Sequence, residues 1–193
     1  MAIRNILRDG DPSLLKKSRA ITDFNKRIHV LLDDMRETLL EANGLGLAAP
    51  QVGVLRRAVL VVDTTIETES PEEQIIELLN PEIIARSGEQ SGSEGCLSLP
   101  GIYGIVKRPE LVKIKAQDRH GNTFELLKKE LTARAICHEI DHLDGKIFTS
   151  LVERYLTEEE LEAMAADQNS ESGTQNSGDD RSDSTPADKD QGN

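Results

Sequence analysis

Apolar patterning along the 193 residues predicts an α+β fold, on three observations. Residues 24–39 and 131–143 repeat apolar side chains at the 3.6-residue period of a helix. The segments that read as strands follow one another without the strand–helix–strand alternation of a parallel sheet, and no internal repeat is present. Two of those strands are joined by the short polar stretch Asp118-Arg119-His120-Gly121-Asn122, which suits an antiparallel hairpin.

Taken in chain order, Phe24, Ile28, Leu31, Leu32, Met35 and Leu39 form the apolar stripe of a long helix packed on a sheet. Thr22 or Asp23 is its expected N-cap and Gly44 its expected stop. Ala58-Val59-Leu60-Val61-Val62 reads as a buried strand, followed by an acidic loop from Glu67 to Gln74. A further short strand covers Leu78-Leu79 and Ile83-Ile84, with Asn80-Pro81 expected to interrupt it. Val112, Ile114 and Ala116 alternate with polar neighbours and, with Thr123-Phe124-Glu125-Leu126, make the half-exposed hairpin. From Leu131 to Leu143 the helical period returns and Gly145 ends it, which places His138 and His142 on the C-terminal half of a helix. Thr157-Glu158-Glu159-Glu160-Leu161 has the signature of a capped, short acidic helix.

Residues 167–193 contain one alanine as their only apolar residue, so they cannot offset the entropy of ordering and are expected to be a disordered tail to a domain of residues 1–166. Residues 157–193 carry eleven acids and two bases; subtracting that −9 from the total of −12 leaves −3 for residues 1–156. The folded part is close to balanced, with no basic stripe of the kind that binds nucleic acid. No apolar run approaches the ~18 residues of a membrane span, and the N-terminal stretch lacks the apolar core of a signal peptide, so a cytoplasmic protein is expected. In that reducing compartment Cys96 and Cys137 read as thiols or ligands, not as a disulfide.

The chemistry concentrates at His138-Glu139-Ile140-Asp141-His142. Residues four apart share a helix face, so both imidazoles can converge on one ion while Glu139 is placed to take a proton from water there. A catalytic site of this kind commonly has three protein ligands and one open position. Cys96 is the better third ligand, because Cys137 adjoins His138 and points about 100° around the helix from it. By itself, a cysteine beside leucine is more often a small buried apolar residue than a ligand. His29, inside a helix, and His120, in a turn, read as surface or structural histidines. Gly44-Leu45-Gly46-Leu47-Ala48-Ala49 fits the dinucleotide pattern G-x-G-x-x-A, but a helix precedes it and Pro50 follows, the reverse of the context that pattern requires. Two glycines so close still indicate backbone that turns sharply or lies against a ligand.

Three stretches, Gly44-Leu45-Gly46-Leu47-Ala48-Ala49-Pro50-Gln51, Glu94-Gly95-Cys96-Leu97-Ser98 and His138-Glu139-Ile140-Asp141-His142, resemble in order and spacing the three signature motifs of the peptide deformylases. The resemblance spans about residues 3–156 and includes Asp11-Pro12 and Asp141-His142-Leu143-Asp144-Gly145. It departs at Cys137, where many members have glutamine, and in the acidic tail. It implies mixed, mainly antiparallel sheets around a central metal-binding helix, and hydrolysis of the N-formyl group of formylmethionine on newly made polypeptides. Under it, Cys96, His138 and His142 are metal ligands, Glu139 is the general base, and the Gln51 side chain and Leu97 N–H stabilise the oxyanion. Leu45, Leu97 and Ala135 line the methionine pocket, and Gly44 and Gly46 leave room for an extended substrate.

The resemblance implies one Fe(II) per chain; the ligand set itself also accepts Zn(II), Ni(II) or Co(II). The implied partners are N-formylmethionyl nascent polypeptides, met in transient proximity to the ribosome, with no direct nucleic-acid or membrane contact. A metallopeptidase is the alternative enzyme, opposed by Cys96 and the two other motifs. A non-catalytic metal-binding scaffold is the alternative outside enzymes, opposed by the joint presence of Glu139 and Gln51, since a structural site favours a fourth protein ligand and no base.

Overall fold

A computed structural model describes residues 2–68 and 70–164. Residues Met1–Leu156 form one compact unit, and the chain from Thr157 belongs to a second. The expected disordered tail, 167–193, lies outside the described residues.

The first unit carries helix α1 (Lys26–Glu41), strands β1 (Gly46–Ala48), β2 (Ala58–Val62), β3 (Ile75–Ser87), β4 (Gln90–Cys96), β5 (Leu99–Arg108), β6 (Leu111–Gln117) and β7 (Thr123–Lys129), helix α2 (Glu130–Leu143) and strand β8 (Val152–Tyr155). A five-stranded sheet runs β1-β2-β3-β6-β7 and a three-stranded sheet β4-β5-β8, with every strand pair antiparallel. The α+β class read from the sequence is what the chain adopts.

Strand alternation decides which helix covers which face of the larger sheet. Ala48, Val59, Val61, Leu78, Val112 and Ile114 pack against Ala133, Ile136, Ile140 and Leu143 of α2. Leu47, Ala58, Leu60 and Leu79 turn the other way, onto Leu31, Leu32, Met35 and Leu39 of α1. A third cluster, Leu14, Leu99, Val106, Ile147 and Phe148, backs the smaller sheet. Helix α2 is buried along nearly its whole length between the larger sheet and residues of the smaller one. Truncating Ile136 or Leu143, both fully buried there, to alanine should cost about 2–5 kcal/mol.

Three local readings change. The N-cap of α1 is Asn25, whose side chain accepts from Arg27 N and Ile28 N, in place of Thr22 or Asp23. The helix ends at Glu41, ahead of Asn43 at φ 50 and Gly44. Asn80-Pro81 does not break the strand. β3 runs through it as an irregularity between Leu79 and Glu82, with Asn80 at φ 49. The Asn80 side chain accepts from Ile21 N and donates to Ile21 O and Gln117 Oε1, which fixes the bulge. In the second unit, Thr157 Oγ1 accepts from Glu160 N and the Glu160 carboxylate accepts from Thr157 N, a reciprocal cap on the helix at 158–164.

Candidate active site

Four buried residues of α2, Arg134, His138, Glu139 and His142, face a hairpin formed by β4 and β5. Cys96, at the end of β4, is brought to the helix: its Sγ lies 3.2 Å from His142 Nε2. One donor atom from each of Cys96, His138 and His142 falls within 4.8 Å of the others, so the three expected ligands do converge. Metal–sulfur and metal–nitrogen bonds of about 2.3 and 2.1 Å around a tetrahedral centre hold such donors roughly 3.3–3.8 Å apart, so the set needs only small adjustments to close on an ion. Cys137 is buried on the apolar side of α2, and burial pushes its thiol up to about 11. His29 and His120 stack edge to face on each other, apart from the three expected ligands.

The ligand orientation comes from Glu94, to which sequence reasoning gave no role. Its carboxylate accepts from Arg108 Nε (2.8 Å) and Nη2 (3.0 Å), from Arg134 Nη1 (3.0 Å) and from His138 Nδ1 (3.0 Å). Arg108 also reaches Asp141 at 2.5 Å. Burial alone would raise the Glu94 pKa, but the bonds from His138 and Arg108 outweigh it and hold the group at about 2. An ionised Glu94 is an acceptor only, so His138 carries its proton on Nδ1 and turns Nε2 toward Cys96. Burial opposes charge on His138, yet its bonds to Cys96 and Glu94 and the nearby Glu139 carry its pKa up to about 10, whereas burial takes His142 down to about 3. Positive charge is thus favoured between His138 and Cys96, where a divalent cation held by these donors would sit.

Glu139 is buried, and its Oε2 has no hydrogen-bond partner among the described residues. Burial pushes its pKa up to about 7. Gly46 explains how it fits: a Cβ there would come within 2.7 Å of Glu139 Cγ and 2.8 Å of Cδ. The room that Gly46 leaves is therefore occupied by the carboxyl side chain, and that at Gly44 by Leu97, whose Cδ1 would lie 2.8 Å from an added Cβ. On the other flank, Gln51 accepts from Ala48 N through Oε1 (2.8 Å). Its Nε2 donates to Ser98 Oγ (3.3 Å) and Cys96 Sγ (3.5 Å), so the amide is aimed at the ligand cluster.

A cavity of about 520 Å³ opens onto this cluster, lined by Gly44, Leu45, Gly46, Cys96, Leu97, Ala135, His138 and Glu139, among others. Every pocket residue expected from sequence is in its wall, together with Arg8 and Tyr103, which no local pattern marked. Both β1 and β4 are sheet-edge strands and both contribute to the wall.

A sequence profile for polypeptide deformylases matches residues 3–157. This chain belongs to the polypeptide deformylase family. Metal-dependent removal of an N-formyl group is the activity that goes with it. A peptide deformylase from Caldanaerobacter subterraneus subsp. tengcongensis is 51% identical over 164 residues, 85% of this chain and 98% of that one. A crystal structure of a peptide deformylase from Legionella pneumophila matches with a TM-score of 0.72 at 36% identity, covering 87% of this chain and 98% of the other. A class I type b peptide deformylase from Acinetobacter baumannii, crystallised with Met-Ala-Ser bound, matches at 30% identity and TM-score 0.72, covering 78% and 99%. Among the described residues, no helix is long and apolar enough to cross a membrane.

Proposed function

We propose that residues 1–166 deformylate the N-terminal formylmethionine of nascent polypeptides in the cytoplasm, close to the ribosome, with one Fe(II) held by Cys96 Sγ, His138 Nε2 and His142 Nε2. The observation that carries the reading is the convergence of those three donors beside a buried carboxylate, one oxygen of which has no hydrogen-bond partner among the described residues. A thiolate and two imidazoles also accept Zn(II), Ni(II) or Co(II), and iron is chosen on the family resemblance. When bound, the ion supplies Lewis acidity that brings water at its open position toward ionisation at neutral pH.

Glu139 takes the water proton as the new C–O bond forms at the formyl carbon, then delivers a proton to the amine as the C–N bond breaks, giving formate and a free N-terminus. Its raised pKa suits both directions of transfer near pH 7. Gln51 Nε2 and the Leu97 N–H stabilise the charge that develops on the formyl oxygen. Glu94, through His138 Nδ1, holds one ligand in place. Leu45, Leu97 and Ala135 take the methionine side chain, and the substrate backbone lies extended along the free edges of β1 and β4.

The test compares release of formate from formyl-Met-Ala-Ser with release of acetate from N-acetyl-Met-Ala-Ser and with production of shorter peptides by cleavage of an internal peptide bond. Turnover of the formyl peptide alone is expected; cleavage of the internal bond would instead indicate a metallopeptidase. In the same assay Glu139→Gln should keep its metal and lose about 10²-fold or more in kcat.

A further inference from the structure

A second cleft, of about 450 Å³, opens at the start of α1. It lies about 20–25 Å along that 16-residue helix from the end that lines the active site. Arg4, Arg19, Arg27 and Arg56 line it, over a floor of Ile21, Ile28, Leu31 and Val54. Arg4 is held by Asp34 at 2.9 Å. The side chains of Arg19, Arg27 and Arg56 have no carboxylate or hydrogen-bond partner among the described residues. Arg36, Arg57, Arg108, Arg119 and Arg134 each bind a carboxylate and Arg8 binds the Leu97 carbonyl, while Arg86, with no carboxylate partner among the described residues, lines a separate cleft that also holds Glu82 and Asp144. Asp23, the one acid in the lining among the described residues, accepts from its neighbour Asn25 at 2.5 Å. The N-terminus of α1 lies at the same wall, with its Arg27 and Ile28 N–H groups already capped by the Asn25 side chain.

Three guanidinium groups around one concavity, two of them exposed, together make a locally positive field that favours an anion. Their planar donor forks match phosphate oxygens in pairs. The apolar floor asks for something besides charge, a flat or apolar body. We propose that this cleft binds a compact polyphosphate bearing such a body, of the nucleoside polyphosphate class. The volume falls in the range of small-molecule sites. Among the described residues no aromatic side chain lines the cleft, so they supply no stacking platform of the kind found in single-strand nucleic-acid sites. The charge of −3 over residues 1–156 supplies no continuous basic track for a long strand.

Full-length, metal-loaded protein titrated calorimetrically with ATP at low ionic strength should show one saturable site per chain. The double variant Arg19→Gln/Arg56→Gln should weaken it by about 10-fold or more, whereas Lys113→Gln on β6 should leave it unchanged. Tripolyphosphate should bind more weakly than ATP, because it lacks the body that covers the floor. Formate release from formyl-Met-Ala-Ser should be the same in all three proteins, which reports an intact fold. No saturation up to about 5 mM ATP would overturn the proposal. So would affinity that survives the double variant, which places the ligand elsewhere, or tripolyphosphate binding as well as ATP. Tighter binding of a single-stranded RNA 20-mer than of ATP would overturn the assignment to a compact ligand.

Discussion

Gly46→Ala separates two roles for one glycine. If Gly46 makes room for substrate, a methyl group there should raise KM and spare kcat. The structure gives it another neighbour: the methyl would sit 2.7 and 2.8 Å from Glu139 Cγ and Cδ, where ordinary contact begins near 3.4 Å. Glu139 rises from a buried helix and is itself buried, so it must shift by several tenths of an ångström to about 1 Å to clear the methyl. A displacement of that size in a proton-transfer group costs on the order of 10²-fold in rate. Overpacking should lower stability by about 1–3 kcal/mol as well. The backbone of Gly46 is not in the left-handed region, so alanine adds no backbone strain of its own. The assay is kcat and KM for formyl-Met-Ala-Ser on metal-loaded protein, with metal content and Tm measured on the same preparation. A fall in kcat at normal metal content is expected; unchanged kcat with a raised KM would refute the reasoning and return Gly46 to the substrate.

Cys96→Ser should lose most of its metal and Cys137→Ser should keep it, because a serine hydroxyl is a poor ligand for these ions and Cys137 lies in the apolar cluster; elemental analysis of both proteins decides. Glu94→Gln leaves Arg108 and Arg134 without their shared buried carboxylate, so a loss of about 3–5 kcal/mol by denaturant titration is expected. The same variant frees His138, and metal affinity measured by competition with a chelator should fall about 10–100-fold. Asp63 is buried, and although burial raises its pKa, bonds from Lys128 and Thr65 leave it below the ordinary value. A depressed folded-state pKa contributes stability in full above the unfolded value, near 4, and loses it as pH falls through the lower folded value. Asp63→Asn should therefore be less stable at pH 7 and show a flatter decline of Tm below about pH 4.

What could be read from sequence was local. The ligand pair of α2 and the stripe of α1 depend on residues three and four apart, and both formed as the period required. The hairpin of β4 and β5 was missed because glycines at 92, 95, 101 and 104 break the alternation that marks a strand. Their reason lies elsewhere in the chain: a Cβ at Gly95 would meet the Tyr103 ring at 2.5 Å, and one at Gly104 would meet Val152 at 2.7 Å. Glu94 was hidden in the same way, since its partners Arg108 and Arg134 are 14 and 40 residues distant. Charge shows the same limit. A near-neutral sum over residues 1–156 showed no basic nucleic-acid stripe, but a sum does not record which arginines find carboxylates. Folding pairs Arg108 and Arg134 with Glu94, and it leaves Arg19, Arg27 and Arg56 together at one cleft. The near-balanced total hides both arrangements: one carboxylate shared by two arginines at the metal site, and three arginines at the start of α1 with no carboxylate partner among the described residues.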